Sequence, residues 1–349
     1  MSNDILLEVD DLKIHFFTNE GLVKAVDGVS YSLRRGKTLC IVGESGSGKS
    51  VSARALLQLV QRPGKIVGGK ITYYQENGDG KVKPHDITKL DPYGRDIRGI
   101  RGKEIAMIFQ EPMSSFSTSY TVGSQIMEAI QLHEKVSKQE ARNRAIELLG
   151  RVGIPKPEQR IDTYPFRLSG GMLQRCMIAM ALSCNPKLLI ADEPTTALDV
   201  TTQAQILDLL KELQEHYGMA LLFITHDMGV VAEIADDVAV MYLGNVVEHA
   251  DVNAVFNNPQ HPYTSALLRS IPKIEVEQQA LKPIGGVVPS PFERPDGCPF
   301  HPRCESHING LCNVIPPQTI SITPNHQARC LKHDDQYRQQ FIEREERHV

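Results

Sequence analysis

The chain has 349 residues, of which 41% are apolar and 23% charged, and its formal net charge is −4. These fractions suit a soluble globular protein with a sizeable core, in two domains or in one large domain with an extension. The weakly acidic balance excludes a general electrostatic drive towards nucleic acid or anionic lipid, and no apolar run approaches the ~20 residues that span a bilayer. Met1 to Leu6 lacks the basic start and apolar middle of a secretory signal, so a cytosolic chain is expected.

In chain order, Ile5 to Val9 and Leu12 to Phe16 read as two edge strands, followed by a turn at Thr18 to Gly21. Phe16 or Phe17 could stack on an adenine ring or pack under the turn. Ala25 to Leu33 alternates apolar and polar, and Arg34 to Lys37 is a turn. A small antiparallel sheet feeding a parallel one is expected.

Thr38 to Val42 has the length and β-branched content of a buried strand, and Gly43-Glu44-Ser45-Gly46-Ser47-Gly48-Lys49-Ser50 follows it directly. This fits G-x-x-x-x-G-K-[ST], and Val51 to Leu59 after it reads as a helix. Glycines turn the loop's N–H groups around phosphate oxygens, Lys49 reaches the β- and γ-phosphates, and the Ser50 hydroxyl is placed to ligate Mg²⁺. Nucleotide phosphate binding is the consequence.

From Pro63 to Gly102 the Gly, Pro, Asp and Lys content predicts loops around one short strand, Gly69 to Tyr74. Ile105 to Phe109 is a second buried strand that ends at Gln110, where a strand tip could sense Mg²⁺ or position a water. Helical periodicity then takes over between Thr121 and Pro165, with one stripe at Val122, Ile126, Ala129 and Ile130. A second runs through Ala141, Ala145, Leu148, Leu149 and Val152. Ser169-Gly170-Gly171 opens a helix from Met172 to Ser183, either as a second anion-binding helix start or as a plain N-cap.

Lys187 to Ala191 is an apolar strand ending in two acids. Asp192 is placed to hold Mg²⁺ through its water shell, and Glu193 to polarise an attacking water. A helix from Thr201 to Tyr217 leads to the strand Ala220 to Ile224, which ends at Thr225-His226-Asp227. His226 could contact the γ-phosphate edge or be purely structural.

Taken in order, the loop Gly43 to Ser50, Gln110, Leu168 to Met172, Leu188 to Glu193, Ala197 to Asp199 and His226 together resemble the ABC-transporter ATPases. The resemblance covers residues 4 to about 255. It implies an α/β P-loop NTPase with a RecA-like core, an antiparallel β subdomain and a helical subdomain at about residues 112–180. It also implies hydrolysis of ATP with Mg²⁺ in a head-to-tail dimer, with Ser169, Gly170 and Gly171 capping the γ-phosphate on the partner ATPase. In that scheme Lys49 and Ser50 bind phosphates and Mg²⁺, Gln110 and His226 respond to the γ-phosphate, and Glu193 is the general base. Asp199 communicates across the interface, and Phe16 rather than Phe17 matches the adenine-stacking aromatic.

Beyond residue 255 the sequence Asn258 to Pro272 and then Gly297 to Cys304 looks like the C-terminal extension of dipeptide and oligopeptide importer ATPases. That branch implies two ATPase chains beneath two permease subunits on the cytoplasmic face of the membrane, fed by an extracytoplasmic binding protein. Relatives carrying nickel, glutathione or oligosaccharides leave the cargo open. The rival is a soluble ABC protein of DNA repair or translation, but its tandem cassettes, coiled coils and basic arms are missing here. Two departures are Met172 where many relatives have Gln, and Ser114 to Tyr120 in place of a Leu-Asn-Pro type of segment near the permease groove.

Of seven cysteines, Cys298, Cys304, Cys312 and Cys330 gather in a loop-rich segment with few periodic apolar residues. Such a segment lacks a core of its own, so a metal is expected to hold it. A [4Fe–4S] cluster, zinc or free thiols are the alternatives. Cys40, Cys176 and Cys184 are expected to be small core residues.

Overall fold

The computed structural model describes residues 4–76, 80–196, 198–271 and 284–346. Strands β1 (Ile5–Thr18) and β2 (Gly21–Arg34) form a hairpin. The two strands expected before residue 17 are one, interrupted by a register shift at Asp11, whose φ is 46°. Strand β3 (Thr38–Val42) runs into the phosphate loop. Strands β4 (Gly64–Glu76) and β5 (Val82–Asp86) then join β1, giving a four-stranded antiparallel sheet in the order β2-β1-β4-β5.

The stretch expected to be loops around Gly69 to Tyr74 therefore holds a longer strand and a second one, with a helix at Arg95–Ile100. Its glycines mark an irregularity in the strand. A Cβ on Gly69, at φ 83°, would lie 2.3 Å from the Asp11 carbonyl oxygen, so β4 can pass the kink in β1 only there.

Strands β6 (Ile105–Ile108), β7 (Leu188–Asp192), β8 (Ala220–Thr225), β9 (Asp237–Tyr242) and β10 (Asn245–Asp251) build the second sheet, with β11 (Ile320–Thr323) and β12 (His326–Ala328). Its order is β11-β12-β10-β9-β3-β8-β7-β6. The run from β9 to β6 is parallel, and β10, β12 and β11 are antiparallel. Strands β3, β7 and β8 are buried at every residue because both faces are covered. Leu39 and Ile41 face the core shared with the antiparallel sheet, while Cys40 and Val42 face the core shared with the helices.

The helices Val122–His133, Lys138–Arg151 and Gly170–Ala181 form the helical arm, capped by the side chains of Thr121, Ser137 and Ser169. Both predicted stripes point inwards: Ile126, Ile130, Ala141, Ala145 and Leu149 are fully buried.

The C-terminal extension shares the main body's core and sheet, contrary to the expectation of a loop-rich segment held by metal. Its β11 and β12 lengthen the main sheet, and Tyr263 and Phe300 enter the main core. A small additional core forms from Leu311, Cys312, Leu331 and Phe341. Glu248, 1% exposed, ties the pieces together. Its carboxylate accepts hydrogen bonds from the Gln260 and His261 N–H groups at 2.6 and 2.8 Å and contacts His326 Nε2 at 2.7 Å.

His261 caps the helix Pro262–Arg269 by accepting from the Tyr263 N–H at 3.1 Å. Burial, aided by Lys332 and His333, pushes its pKa down from 6.5 to about 3. Below pH 6.5 the unfolded chain takes up the proton and the fold does not, so stability falls as pH drops towards 3. Urea midpoints measured at pH 7 and pH 5 should show this fall, and His261→Asn, which keeps a capping acceptor, should reduce it.

Candidate active site

Four parallel strands deliver their carboxyl ends to one place, the usual ligand crevice of an open α/β sheet. Strand β3 presents Gly43 to Ser50, β6 presents Gln110, β7 presents Asp192 and Glu193, and β8 presents His226. The loop residues Glu44 to Val51 line an open cleft of about 760 Å³ with Gln110, Glu193, His226 and Val288.

The loop fits where a side chain would not. A Cβ on Gly43, at φ 152°, would lie 2.1 Å from the Met241 carbonyl oxygen, and one on Gly48, at φ 96°, would lie 2.3 Å from that of Ala25. Gly46 also has positive φ, in open space. Lys49 is 5% exposed and donates from Nζ to the carbonyls of Gly43 at 2.7 Å and Glu44 at 3.1 Å. Burial holds its pKa below 10.5 against the pull of Glu193, Asp192 and Glu44. An incoming phosphate would supply the countercharge that this ammonium group lacks.

The Ser50 hydroxyl donates to Asp192 Oδ1 at 2.6 Å, and Asp192 is wholly buried. Asp192 Oδ2 accepts no hydrogen bond among the described residues; Arg54 Nη2 stands 3.9 Å from it. The Ser47 hydroxyl is likewise buried without a partner. These orphaned oxygens, beside a hydroxyl, a buried ammonium group and a glycine-rich loop, are a donor set that suits Mg²⁺ and a polyphosphate. The residues present therefore fit both groups.

Glu193 follows Asp192 in left-handed backbone, φ 47°, a conformation that costs free energy and persists where surrounding contacts enforce it. One such contact is its N–H donating to the Ile224 carbonyl at 3.0 Å. Its side chain, 14% exposed, accepts at Oε2 from Gln110 Nε2 at 3.2 Å and from the Thr196 hydroxyl at 3.0 Å, while His226 Nδ1 lies 3.6 Å from Oε1. Gln110, Glu193 and His226 thus meet within one chain.

Other expected residues lie elsewhere. Ser169 caps its own helix by accepting from the Met172 N–H at 3.4 Å, and Asp199 accepts from the Thr202 N–H and hydroxyl at 2.9 and 2.7 Å. Neither these two nor Gly170 and Gly171 line the cleft. A Cβ on Gly170 would have no neighbour within 4 Å, so this turn faces outwards. Phe16 is half-buried against the antiparallel sheet's core, pairing with Gly64, and its neighbour Phe17 is the exposed ring, with Lys65 Nζ 5.8 Å above it.

Cys298, Cys304, Cys312 and Cys330 do converge, around a cavity of only about 20 Å³. Burial raises the pKa of Cys298, and pushes those of Cys304 and Cys330 up to about 12, which opposes the thiolate form that metals bind. Among the described residues no group of three or more His, Cys, Asp or Glu side chains could hold a metal ion. The expected [4Fe–4S] or zinc site thus finds no support in this arrangement, in which the four cysteines form no disulfide.

The sequence reading missed Glu44, Tyr263, Arg294 and Arg303, which join the extension to the loop. The only available signal was that Tyr263 and Arg303 lie inside the two recognised stretches of the extension.

Two family models match the chain: ABC transporter over residues 26–196, and oligopeptide/dipeptide transporter, C-terminal region, over residues 247–312. The dipeptide transport ATP-binding protein DppD of Escherichia coli K12 is 49% identical, covering 93% of this chain and 96% of that protein. The oligopeptide transport ATP-binding protein AppD of Bacillus subtilis 168 is 48% identical, covering 95% and 98%. Among solved structures, the dimeric ATP-binding cassette MJ0796 in a post-hydrolysis state bound to ADP and Pi aligns with a TM-score of 0.60 at 26% identity. It covers 71% of this chain and 99% of that one. The structure of cbiO1 from Clostridium perfringens, part of the ABC transporter complex cbiONQ, aligns with a TM-score of 0.58 at 28% identity, covering 73% of this chain and 92% of that one.

Burial raises the Asp192 carboxyl above 3.8, against the lowering effect of the Ser50 hydroxyl and Arg54. A proton competes with a cation for this group, so Mg²⁺ affinity should begin to fall on acidification at a higher pH than an exposed carboxylate would give. Titrating the nucleotide-loaded protein with Mn²⁺ across pH 4 to 7, as a paramagnetic substitute for Mg²⁺, measures this. Asp192→Asn should lose both the tight binding and its pH dependence.

Proposed function

The chain belongs to the ABC-transporter ATP-binding proteins, on the dipeptide and oligopeptide branch, and from that premise we propose the division of labour in its site and its assembly. It is the ATPase subunit of a peptide importer, with an α/β P-loop NTPase fold. The observation that carries the mechanism is the placement of Glu193 in left-handed backbone, held by Gln110 and Thr196 at the mouth of the phosphate cleft.

Lys49 and the loop N–H groups hold the β- and γ-phosphates, and Ser50 with Asp192 holds Mg²⁺. Held there, Mg²⁺ would supply charge neutralisation for the phosphate oxygens. Glu193 orients the attacking water and accepts its proton, Gln110 fixes the Glu193 carboxylate, and His226 sits at the γ-phosphate side. Phe16 supplies the adenine contact.

Residues 1–255 act as the nucleotide-binding unit, with 112–180 as its helical arm and 256–349 as the extension. The outward position of Ser169 to Gly171 and of Asp199, away from their own cleft, supports a head-to-tail pair in which each chain completes the other's site. On the arm, Met113, Tyr120, Tyr164 and Phe166 are exposed, and the Val122 N–H donates to the Thr163 carbonyl at 3.0 Å, which draws these segments together. This apolar face suits the permease subunits, which place the chain on the cytoplasmic face of the membrane. No helix among the described residues is long and apolar enough to cross a membrane. An extracytoplasmic binding protein delivers the peptide.

Glu193→Gln should bind ATP normally and lower kcat by at least about 100-fold, the usual contribution of a positioned base; near-normal turnover would remove Glu193 from that role. For cargo, the complex purified with its permeases and binding protein should be challenged with di- and oligopeptides, oligosaccharides, glutathione and Ni²⁺. Stimulation of ATPase activity by peptides alone is expected, and stimulation only by another solute would overturn the peptide assignment.

A further inference from the structure

Beneath the cleft, the extension grips the phosphate loop at two points. At the loop's start, Arg303, whose side chain is 3% exposed, donates from Nη1 to Glu44 Oε2 at 2.7 Å and from Nη2 to Oε1 at 3.0 Å. Its Nε is fixed on the Gly285 carbonyl at 3.0 Å, and its guanidinium lies 5.8 Å over Tyr242 and 6.0 Å over Phe300. The Glu44 N–H donates to the Tyr263 hydroxyl at 2.9 Å, and the Tyr263 ring packs 4.7 Å from Tyr242 and 5.3 Å from Phe300.

Further along, the Ser47 carbonyl accepts from the Gly244 N–H at 2.9 Å, and the Gly244 carbonyl accepts from the Asp27 N–H at 2.8 Å. Arg294 clamps that turn by donating to Asp27 Oδ2 at 2.8 Å and to Asn245 Oδ1. Two arginines of the extension therefore brace a loop that lies more than 200 residues earlier in the chain.

Glu44 brings a carboxylate, 27% exposed, to the lining of the cleft where polyphosphate must sit. Left alone, that charge would repel the ligand. A planar guanidinium bound through both nitrogens cancels it and fixes its direction, which a lysine's point charge cannot do as well.

We infer that Arg303 is a positioning residue for nucleotide binding: its two-pronged pair with Glu44 neutralises the loop's carboxylate and holds it in one direction at the edge of the phosphate cleft. The extension is thereby part of the ATP site. This rests on the reading of the cleft as that site.

The test is calorimetric titration of the full chain with MgATP, alongside steady-state ATPase kinetics and thermal midpoints. Wild type must bind MgATP; if it does not, the nucleotide reading itself fails, whatever Arg303 does. Given that binding, Arg303→Ala should weaken it about tenfold, within the usual range of coupling between linked sites. The change should appear in KM with kcat unchanged, the pattern of lost uniform binding. Arg303→Lys should fall between the two.

Adding Glu44→Gln to Arg303→Ala should restore most of the lost affinity, because no carboxylate then stands uncompensated. Glu44→Gln alone keeps Arg303 and its packing and guards against misfolding of the alanine variant; it should bind MgATP at least as tightly as wild type. Unchanged affinity in a less stable Arg303→Ala, a double variant no better than the single one, or weakened binding in Glu44→Gln would each overturn the inference.

Discussion

The phosphate loop has room for backbone and nothing more at two of its glycines. The Met241 carbonyl from β9 closes on Gly43, and the Ala25 carbonyl from β2 closes on Gly48. These two carbonyls belong to different sheets. The loop's shape therefore depends on the relative placement of the antiparallel sheet and the parallel one, which the apolar layer between them sets. Leu39 and Ile41 of β3 lie in that layer with Val26, Val29 and Ile71, so the strand that carries the loop is also the strand that docks the two sheets. A methyl group at either glycine would have to displace backbone at the seam, where no flexible side chain can give way.

The chemistry then follows from the different surroundings of two adjacent acids. Asp192 is the last residue of β7 and points into the sheet's tip, where among the described residues only Ser50 hydrogen-bonds to it and burial opposes its charge. Such a carboxylate wants a cation. Glu193 leaves the strand through a left-handed residue and turns to the cleft, where Gln110 and Thr196 restrain one oxygen. In the proposed mechanism one acid therefore serves a metal and the other a water, separated by a single peptide bond.

Much of this was legible in the sequence for a plain reason. Strands buried on both faces read as unbroken apolar runs, as in Thr38–Val42 and Ala220–Thr225, and the residues that follow them must lie at one edge of the sheet. Gln110, Asp192, Glu193 and His226 were found that way, and the helical stripes were equally clear. Of strand β4 only Gly69 to Tyr74 was expected, because its outer face is polar and Gly68 and Gly69, which sit at the kink beside Asp11, look like loop signals. Strands β11 and β12, of 4 and 3 residues, are too short to show a period. The Cys quartet was correctly gathered, and the metal expected in it finds no support among the described residues, since spacing reveals neither cavity size nor thiol burial. The Glu44–Arg303 pair spans 259 residues, and nothing local announces it.

The extension's place in the fold explains why it can reach the loop at all. Its strands β11 and β12 add to the sheet beyond β10, and Glu248 on β10 binds the start of the helix that carries Tyr263. The same helix brings Tyr263 against Tyr242, the last residue of β9, one position after the Met241 whose carbonyl closes on Gly43. Contact with the extension is therefore made at the very turn that shapes the loop. From that side the loop is held by fixed aromatic and guanidinium groups, while the opposite side of the cleft stays open. In the proposed dimer a partner's Ser-Gly-Gly turn would close onto a loop that is already rigid, so its binding free energy would go into capping phosphate rather than into ordering the loop.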